Sequence, residues 1–298
     1  MATTFEVAIP QGSHPEPIAA AEAALDLIDA IENQLTVYRE HSEVSRINAA
    51  AGRDLVPVEP RLFELLERCS VWTRETDGAF DIATGSLVKA WGFYRREGRV
   101  PTPRERADAM AATGMKHVIL NRGTIKFNVP GLELNLGAVG KGYALDRAAA
   151  ALRDQWGVRA ALLHGGSSSV YAIGCPPGEP DGWTIRLRHP WDDAADLGTI
   201  RLADQGYGTS AATFQYFEYN GRKLGHVLDP RTGWPAEVAA SAGVRARTAA
   251  EADAMSTAAF ILGAAGAENL TRLRPALGAV ILDDATTHRF NLDPPSSR

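Results

Sequence analysis

The sequence predicts an α+β fold in which antiparallel or mixed sheets pack against helices. The dipeptide Asn220-Gly221 is the strongest short hairpin signal, and the turn at 121–123 separates two runs of strand-forming residues. Helical patterns after residue 142 and after Glu251 interrupt the strands without a steady βαβ rhythm. That irregular order favours α+β over a doubly wound parallel sheet.

The N-terminal third is predicted to contain one strand and several helices. "TTFEVAIP" alternates as a strand does, and residues 18–35 place four apolar side chains on one helical face: Leu25, Ile28, Ile31 and Leu35. "SEVSRIN" indicates a short helix, and "PRLFELLERCSVWTRETDG" indicates an amphipathic helix that ends near Gly78. Residues 95–105 are charged and contain two prolines, so we expect an exposed loop there.

Composition limits the class of protein. A chain of 298 residues that is 45% hydrophobic can bury a large core, and no linker separates independent domains. We therefore expect a single domain over residues 1–287, followed by a polar tail at 288–298. Cys69 and Cys175 form no C-x-x-C or Cys/His pattern, which indicates neither a disulfide framework nor a zinc site.

The net charge of -5 argues against nucleic acid as a partner and against a dominant anionic-membrane surface. No apolar run reaches the roughly 20 residues that a membrane span needs, and no signal peptide or lipobox is visible. The chain as given is therefore predicted to be cytoplasmic. An extracytoplasmic location remains open if a leader has been removed.

The segment "LNLGAVGKGYALD" predicts a strand that runs into a helix through a glycine-rich turn. Residues 133–136 are expected to end the strand, and the helix is expected from Tyr143 to a C-cap at Gly157. Amides at the start of a helix favour an anion, and Lys141 would add positive charge. The spacing matches neither a P-loop nor the G-x-G-x-x-G fingerprint, so a tight turn with a solvated lysine is an equal alternative.

Asp253 and Thr257 stand four residues apart on a predicted helix, so both oxygens should project from one face near its start. A carboxylate and a hydroxyl suit Mg²⁺, which prefers oxygen ligands. The alternative is an acid favoured by the helix dipole beside a packed threonine. We expect Asp253 to be partly exposed, so that its removal would leave the fold intact.

Two further segments contain groups that could take part in catalysis. In "GHVLDPRTGWP", His226 could accept a proton and Asp229 could fix its tautomer, although an ordinary turn with a structural histidine is the alternative. In "ALLHGGSSSVYAIG", a strand ends at paired glycines followed by serines, which could donate hydrogen bonds or simply form a tight turn.

Taken in chain order, these segments resemble the ApbE-type FAD:protein FMN transferases, or flavin transferases. The resemblance covers roughly residues 1–285 and depends on "SEVSRIN", "GAFDIATGSLVKAWGF", "LNLGAVGKGYALD", "LLHGGSSSVYAIG", "GHVLDPRTGWP" and "ADAMSTAAFILG". It implies an ApbE-like fold and Mg²⁺-dependent transfer of the FMN moiety of FAD to a Ser or Thr hydroxyl of an acceptor protein, with release of AMP. Mn²⁺ could replace Mg²⁺.

The resemblance also implies a role for individual residues. The metal would be held by the side chains of Asp253 and Thr257 and by the backbone carbonyl of Ala138. His226 would be the catalytic base, assisted by Asp229. The residues implied in binding FAD, the substrate, are Ser45, Asn135, Gly137, Lys141, Gly165, Gly166, Ser167 and Ser210.

The sequence departs from the family pattern in three places. Members usually have Asp at the positions of Asn135 and Ser167, and Gly-Asp-Tyr in place of the segment 211–213, which here reads Ala-Ala-Thr. These departures concern the flavin side of the site, which leaves two alternatives open. One is a metal-dependent FAD pyrophosphatase that gives FMN and AMP, and the other is a non-catalytic flavin-binding member.

Overall fold

A computed structural model describes residues 3–192, 195–211, 216–283 and 286–292. Within these ranges the helices are α1 (Pro17–Leu35), α2 (Glu43–Ala50), α3 (Pro60–Glu75), α4 (Gly85–Ala90), α5 (Pro103–Ala111), α6 (Gly140–Asp154) and α7 (Ala249–Leu273). No helix in the described part of the chain is long and apolar enough to cross a membrane.

The strands in the same ranges are β1 (Phe5–Ala8), β2 (Val56–Pro57), β3 (Val118–Asn121), β4 (Thr124–Phe127), β5 (Ala161–Gly165), β6 (Ser169–Ile173), β7 (Trp183–Arg188), β8 (Asp196–Leu202), β9 (Gln205–Ala211), β10 (Tyr216–Tyr219), β11 (Arg222–Gly225), β12 (Leu228–Asp229), β13 (Trp234–Pro235), β14 (Ser241–Ala246), β15 (Gly278–Leu282) and β16 (Thr287–Phe290). Their pairings are antiparallel, which confirms the predicted α+β class.

The chain divides into two compact units, each built from separate segments. Unit 1 comprises Met1–Glu32, Val139–Ala211 and Ala239–Arg298, and unit 2 comprises Asn33–Ala138 and Ala212–Val238. The chain passes from one unit to the other more than once, which is consistent with the absence of a linker in the sequence. The single domain predicted over 1–287 remains a prediction.

Unit 1 is organised around a sheet with the strand order β1-β5-β6-β9-β14-β15-β16. One face packs against α6 and α7, and the other is covered by the β7–β8 hairpin through Ile185, Leu187, Ile200 and Leu202. Helix α7 lies close to β9: a Cβ added to Gly208 would lie only 2.6 Å from the backbone of Ala252, so glycine is needed there. Gly263, with φ 70°, kinks α7 beyond the segment that carries Asp253 and Thr257.

Unit 2 contains the small sheet β2-β4-β3, the β10–β11 and β12–β13 hairpins, and helices α2 to α5. Its apolar cluster joins α4 to the hairpins through Leu87, Trp91, Phe93, Ala109, Leu224 and Leu228. Both predicted hairpin turns are confirmed. Asn220 and Gly221 adopt φ values of 50° and 75°, the left-handed conformation that such turns require.

The opening strand and the first helix are confirmed, with Ile28, Ile31 and Leu35 buried. The helix expected to end near Gly78 is α3, which ends at Glu75. The exposed loop predicted over 95–105 is wrong at its end, because α5 begins at Pro103. Thr102 and Glu105 form a capping box there, and Pro103 stands at the start of the helix, where proline is favoured.

The predicted strand at 133–136 is also wrong, since these residues are extended but belong to no ladder. Their backbone groups are satisfied by other partners: Leu134 N–H donates to the side chain of Asn48, and Asn135 N–H donates to Ile82 O. The helix expected from Tyr143 starts three residues earlier, at Gly140, and Gly157 follows it with φ 68°.

The C-terminal tail was placed too early, because part of it belongs to the sheet. Residues 288–290 lie in β16 and pair with β15. The remainder from 293 onward lies outside the described residues.

Candidate functional site

The centre of the candidate site in unit 1 is the carboxylate of Asp253, near the start of α7. Its Oδ2 accepts a hydrogen bond of 2.7 Å from Gly142 N–H, and its Oδ1 accepts one of 2.8 Å from the Ser169 hydroxyl. The residue is only 5% exposed, so the expectation of a partly exposed acid is wrong. The reason is tertiary: α6 and β6 both cover this turn of α7.

Opposing effects act on the charge of Asp253. Burial raises the pKa of this carboxyl, whereas the positive charge of Lys141 and the hydrogen bonds from Ser169 and Gly142 lower the pKa. The site therefore holds an acid in a poorly hydrated place with one cation and two donors directed at it. A second cation would further favour the ionised form.

Close packing brings these groups together. A Cβ on Gly142 would lie 2.2 Å from Ala249 O, so only glycine permits α6 to meet α7 at this point. The paired glycines at the β5–β6 turn approach the same helix start, because a Cβ on Gly165 would lie 3.6 Å from the Cβ of Lys141. Gly166 has φ 64° and donates its N–H to Thr4 O, and Ser167 follows in the exposed turn.

Hydroxyl groups gather one turn further along α7. The Ser210 hydroxyl lies 3.0 Å from the Ser256 hydroxyl and 3.2 Å from that of Thr257. Thr257 also donates to Asp253 O over 3.1 Å. Unit 1 therefore brings together five of the predicted residues: Lys141, Gly165, Ser210, Asp253 and Thr257.

Sequence reasoning missed two residues at this crossing. Ser169 is fully buried and donates to Asp253, and Asp146 accepts hydrogen bonds from Ala249 N–H and Ala250 N–H. The sequence did contain a signal for Ser169. Neighbouring residues of a strand face opposite sides of the sheet, so Ser169 must face away from the side on which Val170 lies. Nothing in the local sequence indicated the partner of Asp146, because that partner is 103 residues away.

Gly166 and Ser167 also belong to unit 1, and unit 2 contains the other predicted residues in two places. Ser45 and Asn135 line one cavity of about 220 Å³, together with Asn48, Lys89 and Tyr94. Asn135 Oδ1 accepts a hydrogen bond of 2.9 Å from Gly137 N–H, which folds the chain into a local turn, and Ala138 follows in that turn. The structure thus assigns Asn135 a backbone role that an aspartate could also fill.

His226 and Asp229 lie on either side of the start of β12. The His226 ring meets Phe93 edge to face at 6.5 Å. Asp229 is held by Arg231, whose Nε and Nη2 donate over 2.9 and 2.8 Å. This bond raises the pKa of the Arg231 guanidinium. That Asp229 assists His226 remains a prediction.

The donor set can be tested against the metal that the resemblance implies. An ionised carboxylate has about four acceptor positions, and Asp253 uses one on each oxygen for Ser169 and Gly142. Asp253 therefore retains acceptor capacity, and the Thr257 hydroxyl supplies a second oxygen of the kind Mg²⁺ prefers. No cluster of three or more His, Cys, Asp or Glu residues suited to a metal occurs in the described ranges, so other ligands would have to be backbone, substrate or water.

Fold and site together define an α+β enzyme in which a lysine at the start of α6 lies near a buried acid at the start of α7. Residues 1–281 match the ApbE family, and the chain belongs to that family. It is 31% identical over 281 residues to an Escherichia coli K12 protein named FAD:protein FMN transferase, covering 91% of this chain and 79% of that protein. A Klebsiella pneumoniae protein of the same name is 37% identical over 226 residues, covering 75% and 68%.

The fold agrees with solved structures. The ApbE protein of Thermotoga maritima superposes with a TM-score of 0.85 at 30% identity, covering 96% of this chain and 93% of that one. The flavinyl transferase ApbE of Pseudomonas stutzeri has the same TM-score at 27% identity and covers 97% and 92%. The family and the enzyme class, a transferase, are therefore confirmed.

Proposed function

We propose that this chain transfers the FMN moiety of FAD to a Ser or Thr hydroxyl of an acceptor protein and releases AMP, in a reaction that requires Mg²⁺ or Mn²⁺. The observation that supports this most directly is the meeting of Lys141, the start of α6 and the buried carboxylate of Asp253. Transfer between phosphates needs such charges to neutralise the transition state.

In the proposed reaction one phosphorus–oxygen bond forms and another breaks. The acceptor hydroxyl oxygen forms a bond to the phosphorus of the FMN half, and the bond from that phosphorus to the bridging oxygen breaks. The bridging oxygen leaves with AMP, and the hydroxyl proton passes to a base. His226 is the proposed base, because imidazole accepts protons near neutral pH.

Lys141 is the proposed partner of the pyrophosphate. The Gly142 N–H is already bound to Asp253, so it does not serve the substrate as well. Contact with phosphate at this helix start is therefore assigned to the Lys141 ammonium and to the amides that precede Gly142. The cavity lined by Ser45 and Asn135 is the proposed contact for other parts of FAD.

Asp253 and Thr257, with the Ala138 carbonyl that the resemblance adds, would hold the divalent cation. When bound, the cation would neutralise charge on the phosphate oxygens. Ser169 and Gly142 orient the Asp253 carboxylate, and Ser210 orients the Thr257 hydroxyl.

The test incubates the protein with FAD, Mg²⁺ and a set of synthetic peptides that each carry one Ser or Thr. We expect AMP in solution and one peptide with the added mass of FMN. AMP with free FMN in equal amounts would instead show a pyrophosphatase, and bound intact FAD without AMP would show a flavin-binding protein. Asp253→Asn is the matched control for background hydrolysis.

A further inference from the structure

Near their N-terminal ends, α6 and α7 each supply a carboxylate that accepts a hydrogen bond from a backbone amide of the other helix. We call this pair of contacts the exchange of carboxylates. Gly142 N–H of α6 donates to Asp253 of α7 over 2.7 Å, and Ala249 N–H of α7 donates to Asp146 of α6 over 2.7 Å. In each helix the donor stands four residues before the acceptor, so the two contacts mirror each other across the crossing. Asp146 accepts a further bond of 2.9 Å from Ala250 N–H.

The crossing allows little relative movement of the two helices. Gly142 lies against the Ala249 carbonyl on one side of α7. On the sheet side, a Cβ on Gly206 would lie 2.5 Å from Ala249 N, and one on Gly208 would lie 2.6 Å from Asp253 N. The first turn of α7 is thus enclosed by backbone on both sides, and close packing leaves it little room to shift.

Asp146 accounts for two of the amides that a helix leaves without internal partners at its N-terminus. Thr248 accepts from Glu251 N–H over 3.2 Å and satisfies a third. A negative charge at this end also interacts favourably with the helix dipole. Asp146 therefore holds the turn from which Asp253 projects. The Thr248 side chain caps the same helix through Glu251 N–H, which is not one of the amides that bind Asp146 or Asp253.

We propose that Asp146 is a positioning residue that sets the location of the Asp253 carboxylate for the divalent cation. The inference rests on the proposed metal-dependent function. Asp253 lies one turn after Ala249, so a shift of that turn moves the carboxylate directly. It also alters the Gly142 contact, which ties Asp253 to the residue beside Lys141.

The experiment compares Asp146→Asn with Thr248→Ala in the full chain. The asparagine keeps one acceptor and places an amide donor against a backbone N–H, whereas the alanine removes a cap from the same helix. Mn²⁺ binding is titrated by electron paramagnetic resonance without FAD, and thermal unfolding is recorded for both. We expect Asp146→Asn to weaken Mn²⁺ binding about 10- to 100-fold, the usual effect of losing a residue that orients a metal ligand.

Each variant should lower the unfolding temperature by a few degrees, because each weakens a cap at the start of α7. Thr248→Ala should nevertheless leave Mn²⁺ affinity within about twofold of the parent, because Asp146 and Asp253 keep their donors. In turnover assays at saturating metal, Asp146→Asn should lower kcat while the KM for FAD stays within about twofold. Parental Mn²⁺ affinity in Asp146→Asn, or an equal loss in Thr248→Ala, would overturn the inference.

If Asp146→Asn does not fold, Asp146→Glu replaces it. That variant keeps both acceptor oxygens but displaces them by one methylene, about 1.5 Å. It should fold and bind Mn²⁺ several-fold more weakly, and parental affinity would count against positioning. If the parent binds no Mn²⁺ either alone or with FAD present, the proposed metal-dependent function fails. That outcome is distinct from a parent and variants that all bind Mn²⁺ equally, which would overturn only the role of Asp146.

Discussion

The α6–α7 crossing and the β12–β13 hairpin carry different parts of the proposed chemistry, and they hold their acids in different ways. Asp253 accepts bonds from residues 84 and 111 positions away and is buried. Asp229 is held by Arg231, two positions away, and its side chain is 13% exposed. Tertiary packing fixes the first acid and local sequence fixes the second. Substitutions should therefore affect stability and activity together at the crossing and separately at the hairpin.

The largest effect is expected from Asp253. Asp253→Asn should reduce AMP release by about 10⁴-fold or more, because a metal ligand supplies several kcal/mol to the transition state. Asp253→Ala should in addition lose stability, since the Ser169 hydroxyl and the Gly142 amide would each cost about 1–3 kcal/mol unpaired. AMP assays and denaturant unfolding measure the two effects. Parental AMP release by either variant at ordinary Mg²⁺ would remove the metal role.

His226 should show the opposite behaviour. His226→Ala is expected to lose transfer rate by about 10²- to 10⁴-fold, the usual contribution of a positioned base. FAD and Mn²⁺ binding should stay near the parental values, because the residue lies outside the crossing. Single-turnover flavin transfer and equilibrium dialysis give the two numbers. A variant with the parental rate would leave this histidine structural.

Gly142→Ala tests the close packing at the crossing. The added Cβ would lie 2.2 Å from Ala249 O, and overpacking of this kind costs about 1–3 kcal/mol. Gly52→Ala is the matched control, because a Cβ there meets nothing within 4 Å and should change the free energy of unfolding by less than about 0.5 kcal/mol. Equal unfolding free energies for the two variants would show that the crossing tolerates a methyl group.

Lys141→Ala should distinguish phosphate recognition from flavin recognition. We expect affinity for FAD to fall about tenfold, or about 1.4 kcal/mol, through loss of a phosphate contact. Affinity for riboflavin, which has no phosphate, should be unchanged. Fluorescence quenching of the flavin measures both ligands in one format, and an equal loss for both would contradict the assignment.

The smallest effect is expected from Asp229. Asp229→Asn breaks a pair with Arg231 whose arginine side chain is 35% exposed, so the free energy of unfolding should change by less than about 1 kcal/mol. Transfer should fall less than tenfold if the residue only supports the turn. Arg231→Gln is the matched control. A loss with Asp229→Asn that far exceeds the loss with Arg231→Gln would give Asp229 a direct role beside His226.

Features that depend on neighbouring residues were predictable from the sequence. The turns at 121–123 and 220–221 follow from residues that adopt positive φ, and α1 follows from apolar spacing. Residues 133–136 were not predictable, because Asn48 and Ile82 replace the ladder partners that the apolar pattern suggested. The burial of Asp253 also depends on residues remote in sequence.

The candidate site divides in the same way. Motif resemblance located Lys141, Asp253 and Thr257, which the structure places around one helix crossing. It did not locate Asp146 or Ser169, since their roles arise only when α6, α7 and β6 meet. Among the departures, Asn135 forms a local turn, Ala211 lies in β9, and Ala212 and Thr213 lie outside the described residues.

The exchange of carboxylates between α6 and α7 has a consequence for the order of folding. Its two bonds join residues that are 111 and 103 positions apart, and closing chain loops of this length costs conformational entropy before the contacts repay it. During synthesis Asp253 follows Gly142 by 111 residues, so α6 leaves the ribosome well before its partner carboxylate. We therefore expect the acid at the crossing to acquire its partners late in folding, so that affinity for a divalent cation appears together with the fully folded protein.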